Sequence, residues 1–397
     1  MSDLLIRNVR DVSSGTPELC EVRIKAGLID AIGASLHAEP GVAIEDGKGA
    51  LLLPGLVEGH THLDKTMWGM DWYVNEVGPE LRDRIDNERA LRARSGHDAQ
   101  AQSHRLALAF LALGATRIRT HVDIDTDAGL KHLHGVLATR EKLRGVVEIQ
   151  IVAFPQSGLL QRQGTVDLLD AALREGADVL GGLDPQGIDG DAPASVDALF
   201  AVAERHGCPL DIHLHEAGAM GARSLDLILD RTEALGMAGR VAISHGFCLG
   251  DVDESTRARL LARMASLRVA VFTTGTPSRP VPPLLACRAA SVTMAGGNDG
   301  IRDAWTPYGS PDMLERAMLI GLRNNLRRDD EIALAFDTVA AGAASACGFA
   351  GYGLGPGARA DLVLVHAQNL AHAVVEHPPR ALVVSHGRIV ARDGVLI

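Results

Sequence analysis

Between Leu51 and Asp299 the chain repeats one layout: a short β-branched or apolar run, a polar residue at its end, then a longer helical stretch. The runs are LLLPGLVEGHTH (51–62), TRIRTHVD (116–123), VEIQIVAFPQ (147–156), DVLGGLD (178–184), PLDIHLHE (209–216), RVAISHG (240–246), VAVFTTG (269–275) and SVTMAGGND (291–299). Strands that alternate with helices pair in parallel, because each helix returns the chain to the edge it left. Eight units over about 250 residues predict a closed (β/α)8 barrel of the TIM type rather than an open sheet. Such a barrel gathers its reactive side chains at the C-terminal strand ends. Those ends carry His60, His62, His121, Asp123, Gln156, Asp184, His213, His215, Glu216, His245 and Asp299.

The flanks follow a period of two. Residues 1–55 hold LLIRNV, CEVRIKAGLIDAIG and GVAIEDGKGALLL, and 358–397 hold ADLVLVHA, RALVVSHGRIVARDG and VLI. KAGLID and SHGRIV read as hairpins. The expected organisation is a small β-sandwich domain built from 1–55 and 358–397, with the hydrolase-type barrel of 56–357 inserted between. GYGLGPG at 351–357 has the glycines of a dinucleotide loop, but it follows a helix and precedes a strand, the reverse of what phosphate binding needs. It reads as a connection.

Acidic residues exceed basic ones by 50 to 39, a formal net charge of -11. Without clustered basic residues, nucleic acid and anionic membrane are poor partners. The five cysteines, 20, 208, 248, 287 and 347, form no C-x-x-C pair and read as free thiols in a reducing compartment. The N-terminus lacks a leader's charged-then-apolar layout, and the uncharged stretch 338–358 is glycine-rich and contains a proline. A cytoplasmic location is expected, with self-association left open.

His60-Thr61-His62 ends the first run, and a spacing of two turns both imidazoles to the same side of a strand. Two neutral nitrogens side by side can chelate a divalent ion. A further histidine ends the fifth run and Asp299 ends the eighth. Three nitrogens and one carboxylate suit zinc or iron(II), with a position left for water. His213 and His215 share a side, so spacing does not decide between them.

The runs PGLVEGHTHLDKT (54–66), VAFPQSG (152–158), HLHE (213–216), SHG (244–246) and GND (297–299), in this order, resemble the cytosine deaminase-like branch of the amidohydrolase superfamily. The resemblance covers nearly the whole chain. It implies His60, His62, His213 and Asp299 as metal ligands. It also implies Glu216 as proton shuttle, His245 as the residue that orients the attacking hydroxide, Asp299 as a second catalytic carboxylate, and Gln156 as the contact to a ring amide edge. The fourth run has no lysine to bridge a second ion, so one ion is expected. Gly300 after Asp299, where cytosine-specific members carry a second aspartate, and Lys65 depart from the cytosine-specific pattern, whereas Glu216 keeps it; Lys65, GGLDP (181–185, with Asp184), His215 and IRDAW (301–305) point elsewhere in the branch. They are similar to members of the branch that remove an alkylamine from a triazine ring. Lys65, Asp184 and His215 are therefore expected at the substrate.

Aromatics make up 3% of the chain, yet Trp68, Trp72 and Trp305 all follow ligand-bearing runs, with Tyr73 and Tyr308 beside them. They predict a flat apolar lid, with Trp305 touching a planar ring. Gln156, with donor and acceptor together, predicts recognition of an –NH–C=O– edge. Nine further histidines, 97, 104, 132, 134, 206, 366, 372, 377 and 386, read as surface residues. The expected function is a metal-dependent aminohydrolase of a small N-heterocycle (cytosine-, triazine- or creatinine-like). An amidase of cyclic or N-acyl amides is the alternative within enzymes, and a ligand-binding barrel without turnover the alternative outside them.

Overall fold

The computed structural model of the chain describes residues 3–12, 18–78, 80–94 and 96–397. Met1, Ser2 and 13–17, part of the N-terminal stretch read for a leader, lie outside them. The strands are β1 (Leu4–Asp11), β2 (Cys20–Lys25), β3 (Leu28–Gly33) and β4 (Ala43–Pro54), then β5 (Leu56–Thr61), β6 (Ala115–Asp123), β7 (Glu148–Phe154) and β8 (Val179–Leu183). They continue as β9 (Leu210–Leu214), β10 (Val241–His245), β11 (Ala270–Thr273) and β12 (Met294–Gly296), and finish with β13 (Leu362–Val365), β14 (Arg380–Ser385), β15 (Arg388–Arg392) and β16 (Val395–Leu396).

β5 to β12 pair in sequence order, all in parallel, and each falls on one of the eight expected runs. The barrel closes where Asp299 N donates to His60 O at 2.8 Å and Thr61 bridges Asp299. Closure requires Gly297, because a Cβ there would lie 2.5 Å from the backbone N and O of His60. The helices between strands are set by their caps. The helix Ala192–His206 starts at Asp191, whose carboxylate accepts from Ala194 N, and stops at Gly207 in the left-handed region (φ 62°), which turns the chain into β9.

The second sheet runs β16-β15-β14-β13-β4-β1-β2-β3 and draws on both ends of the chain. Its hairpins turn at Ala26-Gly27 (φ 51° and 83°) and His386-Gly387 (φ 50° and 74°), the paired positive φ of type I′ turns. Leu4, Ile6, Val22, Ile24, Leu52 and Leu364 build a core separate from that of the barrel. The run 51–62 divides at Gly55, with β4 in the second sheet and β5 in the barrel. GYGLGPG joins the helix Ala341–Cys347 to β13, as its helix-then-strand context requires. Among the described residues no helix is long and apolar enough to cross a membrane, and the five cysteines are free.

Candidate metal centre at the barrel mouth

At the C-terminal ends of β5, β9 and β12, His60, His62, His213 and Asp299 offer four ligand atoms within 4.8 Å of one another. Asp299 Oδ1 lies 3.6 Å from His60 Nε2 and 3.2 Å from His62 Nε2. Ligands about 2 Å from an ion lie about 3.4 Å apart at tetrahedral angles, so these spacings suit one. His60 Nε2 and both ring nitrogens of His213 are buried without a protein partner. Burial holds the imidazoles of His62, His213 and His245 below their ordinary pKa, the neutral form in which a ring nitrogen binds metal. Burial opposes ionisation of Asp299, but His60 and His62 outweigh it and hold this carboxyl well below the usual range. Neutral nitrogens around an ionised carboxylate are the donor set a divalent ion takes.

His213 in β9 and His215 just past its end part company geometrically. His213 joins the cluster, whereas His215 turns to Asp184, whose Oδ2 lies 2.8 Å from its Nδ1 and whose Oδ1 accepts from its backbone N at 2.6 Å. Burial works against charge on His215, yet Asp184 outweighs it and raises the imidazole pKa. The His215 ring stacks on His245, 4.3 Å away, and His245 Nε2 is 3.9 Å from Asp299 Oδ2. Glu216 follows directly. Its Oε1 accepts from Gln186 N and Gly187 N, both at 2.8 Å, and its Oε2 from the Ser224 hydroxyl. No hydrogen bond among the described residues ties it to the histidines.

On the other side of the cluster, the Lys65 ammonium is buried. It donates to Gln156 Oε1 at 2.7 Å and pairs with Asp123 at 3.3 Å and Glu88 at 3.4 Å. Burial disfavours its charge, but Asp123 and Glu88 outweigh that and raise its pKa. This corrects two expectations. Lys65 is charge-balanced by protein rather than left for a ligand. Because an ammonium only donates, Gln156 must turn its oxygen to Lys65, so its Nε2 donor is the part left for a ligand.

The three-tryptophan lid is also corrected. Trp68 packs on the barrel core, and Trp72 is 65% exposed beside Arg302. Tyr308 is 80% exposed. Trp305 alone of the three joins the apolar wall of Phe154, Leu183, Ile85 and Ile188, with its Nε1 donating to Glu88 at 2.9 Å. Phe154 stacks on His213 at 4.1 Å, so this wall adjoins the cluster. His132, read as a surface residue, is buried with Nδ1 2.7 Å from Asp64 Oδ2, and His97 Nε2 donates to Thr66 O at 3.1 Å. His121 lies inside the barrel, its ring 4.2 Å from that of His60.

A family model described as "Amidohydrolase family" matches residues 43–391. The chain belongs to the amidohydrolase family. This amidohydrolase is 28% identical over 402 residues to N-isopropylammelide isopropyl amidohydrolase of Pseudomonas sp. (strain ADP), spanning 100% of this chain and 98% of the relative. It is 64% identical to the N-isopropylammelide isopropylaminohydrolase of Burkholderia multivorans in its crystal structure, with a TM-score of 0.97 and full coverage of both chains. A 5-methylcytosine deaminase from Klebsiella pneumoniae, liganded with 5-fluorocytosine, superposes at a TM-score of 0.86 with 25% identity, covering 98% of this chain and 97% of that one.

Several residues of the amidohydrolase's site went unmarked in the sequence. Glu58 accepts from His60 N at 2.9 Å and from Asn298 Nδ2 at 2.6 Å, and Asn298 Oδ1 accepts in turn from Arg316 Nη2 at 2.6 Å. This net ties the ligand end of β5 to the loop that carries Asp299. Glu58 could have been found, since it shares the strand face of His60 and His62. Ser224 and Glu88 lie on helices and had no such signal.

Proposed function

We propose that this amidohydrolase replaces an exocyclic amino or alkylamino group on a small, uncharged N-heterocycle by oxygen, with N-isopropylammelide and its analogues as first candidates. The observation that carries this reading is one juxtaposition. Four ligand atoms within 4.8 Å lie beside an apolar wall and a fixed amide donor. His60, His62, His213 and Asp299 hold one divalent ion, zinc or iron(II), and β8 (VLGGL) has no lysine to support a second. When bound, the ion supplies a Lewis acid that makes water acidic enough to act as a nucleophile near neutral pH.

The chain's own residues do the rest. Phe154, Leu183 and Trp305 take the ring face, which favours a flat, weakly polar substrate. Gln156 Nε2 donates to a ring carbonyl or ring nitrogen, and Lys65 keeps it in that orientation. His245 orients the attacking water beside Asp299. Glu216, anchored by Gln186, Gly187 and Ser224, takes the water's proton and passes it to the departing nitrogen, so the amine leaves neutral. His215, fixed by Asp184, borders the substrate on the His245 side.

The test is amine release by the metal-loaded protein from N-isopropylammelide, cytosine, 5-methylcytosine and an N-acyl amino acid. Isopropylamine or ammonia should appear from a ring substrate. Cleavage of the N-acyl amino acid with no release from any ring would replace this reading with the amidase one.

A further inference from the structure

His60 lies at the end of a hydrogen-bonded chain that crosses the barrel interior from β6. Arg119 Nη1 donates to Asp211 Oδ2 at 2.9 Å, and its Nε donates to Gln150 Oε1 at 2.7 Å, which fixes the guanidinium. Ser244 Oγ donates to Asp211 Oδ1 at 2.6 Å, and His60 Nδ1 lies 2.9 Å from Ser244 Oγ. Arg119, Asp211, Ser244 and His60 are all buried.

Proton arithmetic gives this chain a direction. Arginine only donates, and a carboxylate paired with it only accepts. The single hydroxyl hydrogen of Ser244 therefore goes to Asp211, and its oxygen can only accept from His60. The proton of neutral His60 must then sit on Nδ1, leaving the lone pair of Nε2, the atom nearest Asp299, for a ligand. Asp211 also forms a possible donor group with His60 and His121. Both its oxygens are already engaged by Arg119 and Ser244, and His121 Nε2 at 3.7 Å from Oδ2 is beyond hydrogen-bond reach.

We infer that Ser244 and Asp211 are positioning residues that set the tautomer of His60 and so make its Nε2 a permanent metal ligand. A carboxylate normally orients a ligating histidine directly; here a serine stands between them. The inference rests on the reading that His60 is a ligand, but its first test needs no metal.

Nitrogen-15 NMR of histidine-labelled, metal-free protein reads the tautomer, with the His60 signal assigned by its loss in His60→Gln. Wild type should carry the proton on Nδ1. In Asp211→Asn, Arg119 keeps the amide oxygen and the NH2 turns to Ser244. The serine must then direct its hydrogen at His60 Nδ1, which moves the ring proton to Nε2. Ser244→Ala, with no acceptor left, should give a mixture. Zn2+ affinity, measured by competition with a chelator, should fall by roughly 10- to 100-fold in Asp211→Asn and less in Ser244→Ala. A merely structural role would lower the melting temperature but could not invert the tautomer. An Nε2-protonated His60 in wild type, or Asp211→Asn binding Zn2+ as tightly as wild type, overturns the inference. If Asp211→Asn does not fold, wild type and Ser244→Ala decide by the tautomer alone. If His60→Gln binds Zn2+ like wild type, the ligand reading falls instead, and the tautomer still decides the relay.

Discussion

His245, Asp299 and Asp184 hold φ angles of 68°, 62° and 33°, a region that costs an L-residue about 1–3 kcal/mol. His245 ends β10, and Asp184 and Asp299 follow the ends of β8 and β12, so the strain falls where these strands leave the barrel. Glu216 is held without strain by three donors. Glu216→Gln should keep a full complement of metal and lose activity by roughly 100- to 10,000-fold, the usual share of a general acid/base. Activity close to wild type would move the proton transfer to Asp184 or Asp299. A second residue-scale prediction concerns Asp303. Burial pushes its pKa up to about 7, with Lys65 opposing and Glu88 adding to the shift. The folded state therefore holds this proton more tightly than the unfolded state does. The stability it contributes is complete below about pH 4 and is lost as pH rises through about 7. Measured by urea unfolding, Asp303→Asn should gain on wild type between those values, by about 4 kcal/mol at most, and the gap should stay constant above them. A gap that does not change with pH would contradict this. At this scale the four candidate ligand positions were legible because histidines and an aspartate end the first, fifth and eighth runs, with His213 chosen over His215 from the family resemblance. The amide orientation of Gln156 was not legible, because it depends on Lys65, which is distant in sequence from Gln156 and had been read as a substrate contact.

Within elements, the same period of two that marked His60 and His62 also puts Glu58, Arg119 and Asp211 on inward faces. These residues were passed over because they lie below the strand ends, where a barrel usually holds aliphatic layers. Their polar net, from Arg316 through Asn298 to Glu58 and from Arg119 through Asp211 to Ser244, fixes the ligand strands from beneath. The strands themselves were legible, since each of the eight runs carries a polar residue at or next to its end and is followed by a helix. The tryptophans misled because loop position was taken for orientation: Trp68 turns to the barrel core, and Trp305 to the apolar wall beside the cluster. The contact between β5 and β12 gives a prediction at this scale. Gly297→Ala drives a Cβ against His60 backbone atoms that cannot move aside. It should lower both the melting temperature and the bound metal. Melting and metal content unchanged from wild type would show that the barrel closes differently.

For the whole molecule, two sheets of different design are joined at Gly55 and around Arg117. The Arg117 side chain is fully buried at the base of the barrel, its Nη2 donating to Gly351 O at 3.2 Å and lying 3.6 Å from Asp361 Oδ2. It also lies over the Tyr352 ring at 5.1 Å. The tie lies at the end of the barrel away from the histidines. Arg117→Met removes the bond to Gly351 O but leaves Asp361 paired with Arg359 at 2.5 Å, so it should destabilise the protein by about 1–3 kcal/mol, the usual cost of a buried acceptor left without its donor, while Zn2+ affinity stays at the wild-type value. Lost affinity would show that the base and the mouth are coupled. The two-sheet plan was legible from the change of period at both chain ends, but Arg117 was not, because nothing local marks an arginine that pairs with the opposite end of the sequence. The central claim joins this scaffold to its chemistry: one ion at the mouth of one barrel supports hydrolysis of an exocyclic C–N bond. Stripping the protein of metal and titrating it with Zn2+ or Fe2+, while isopropylamine release from N-isopropylammelide is followed, tests it most directly. Activity should be absent without metal, rise linearly, and saturate at one equivalent per chain; full turnover by the stripped protein, or saturation only at two equivalents, would contradict the account.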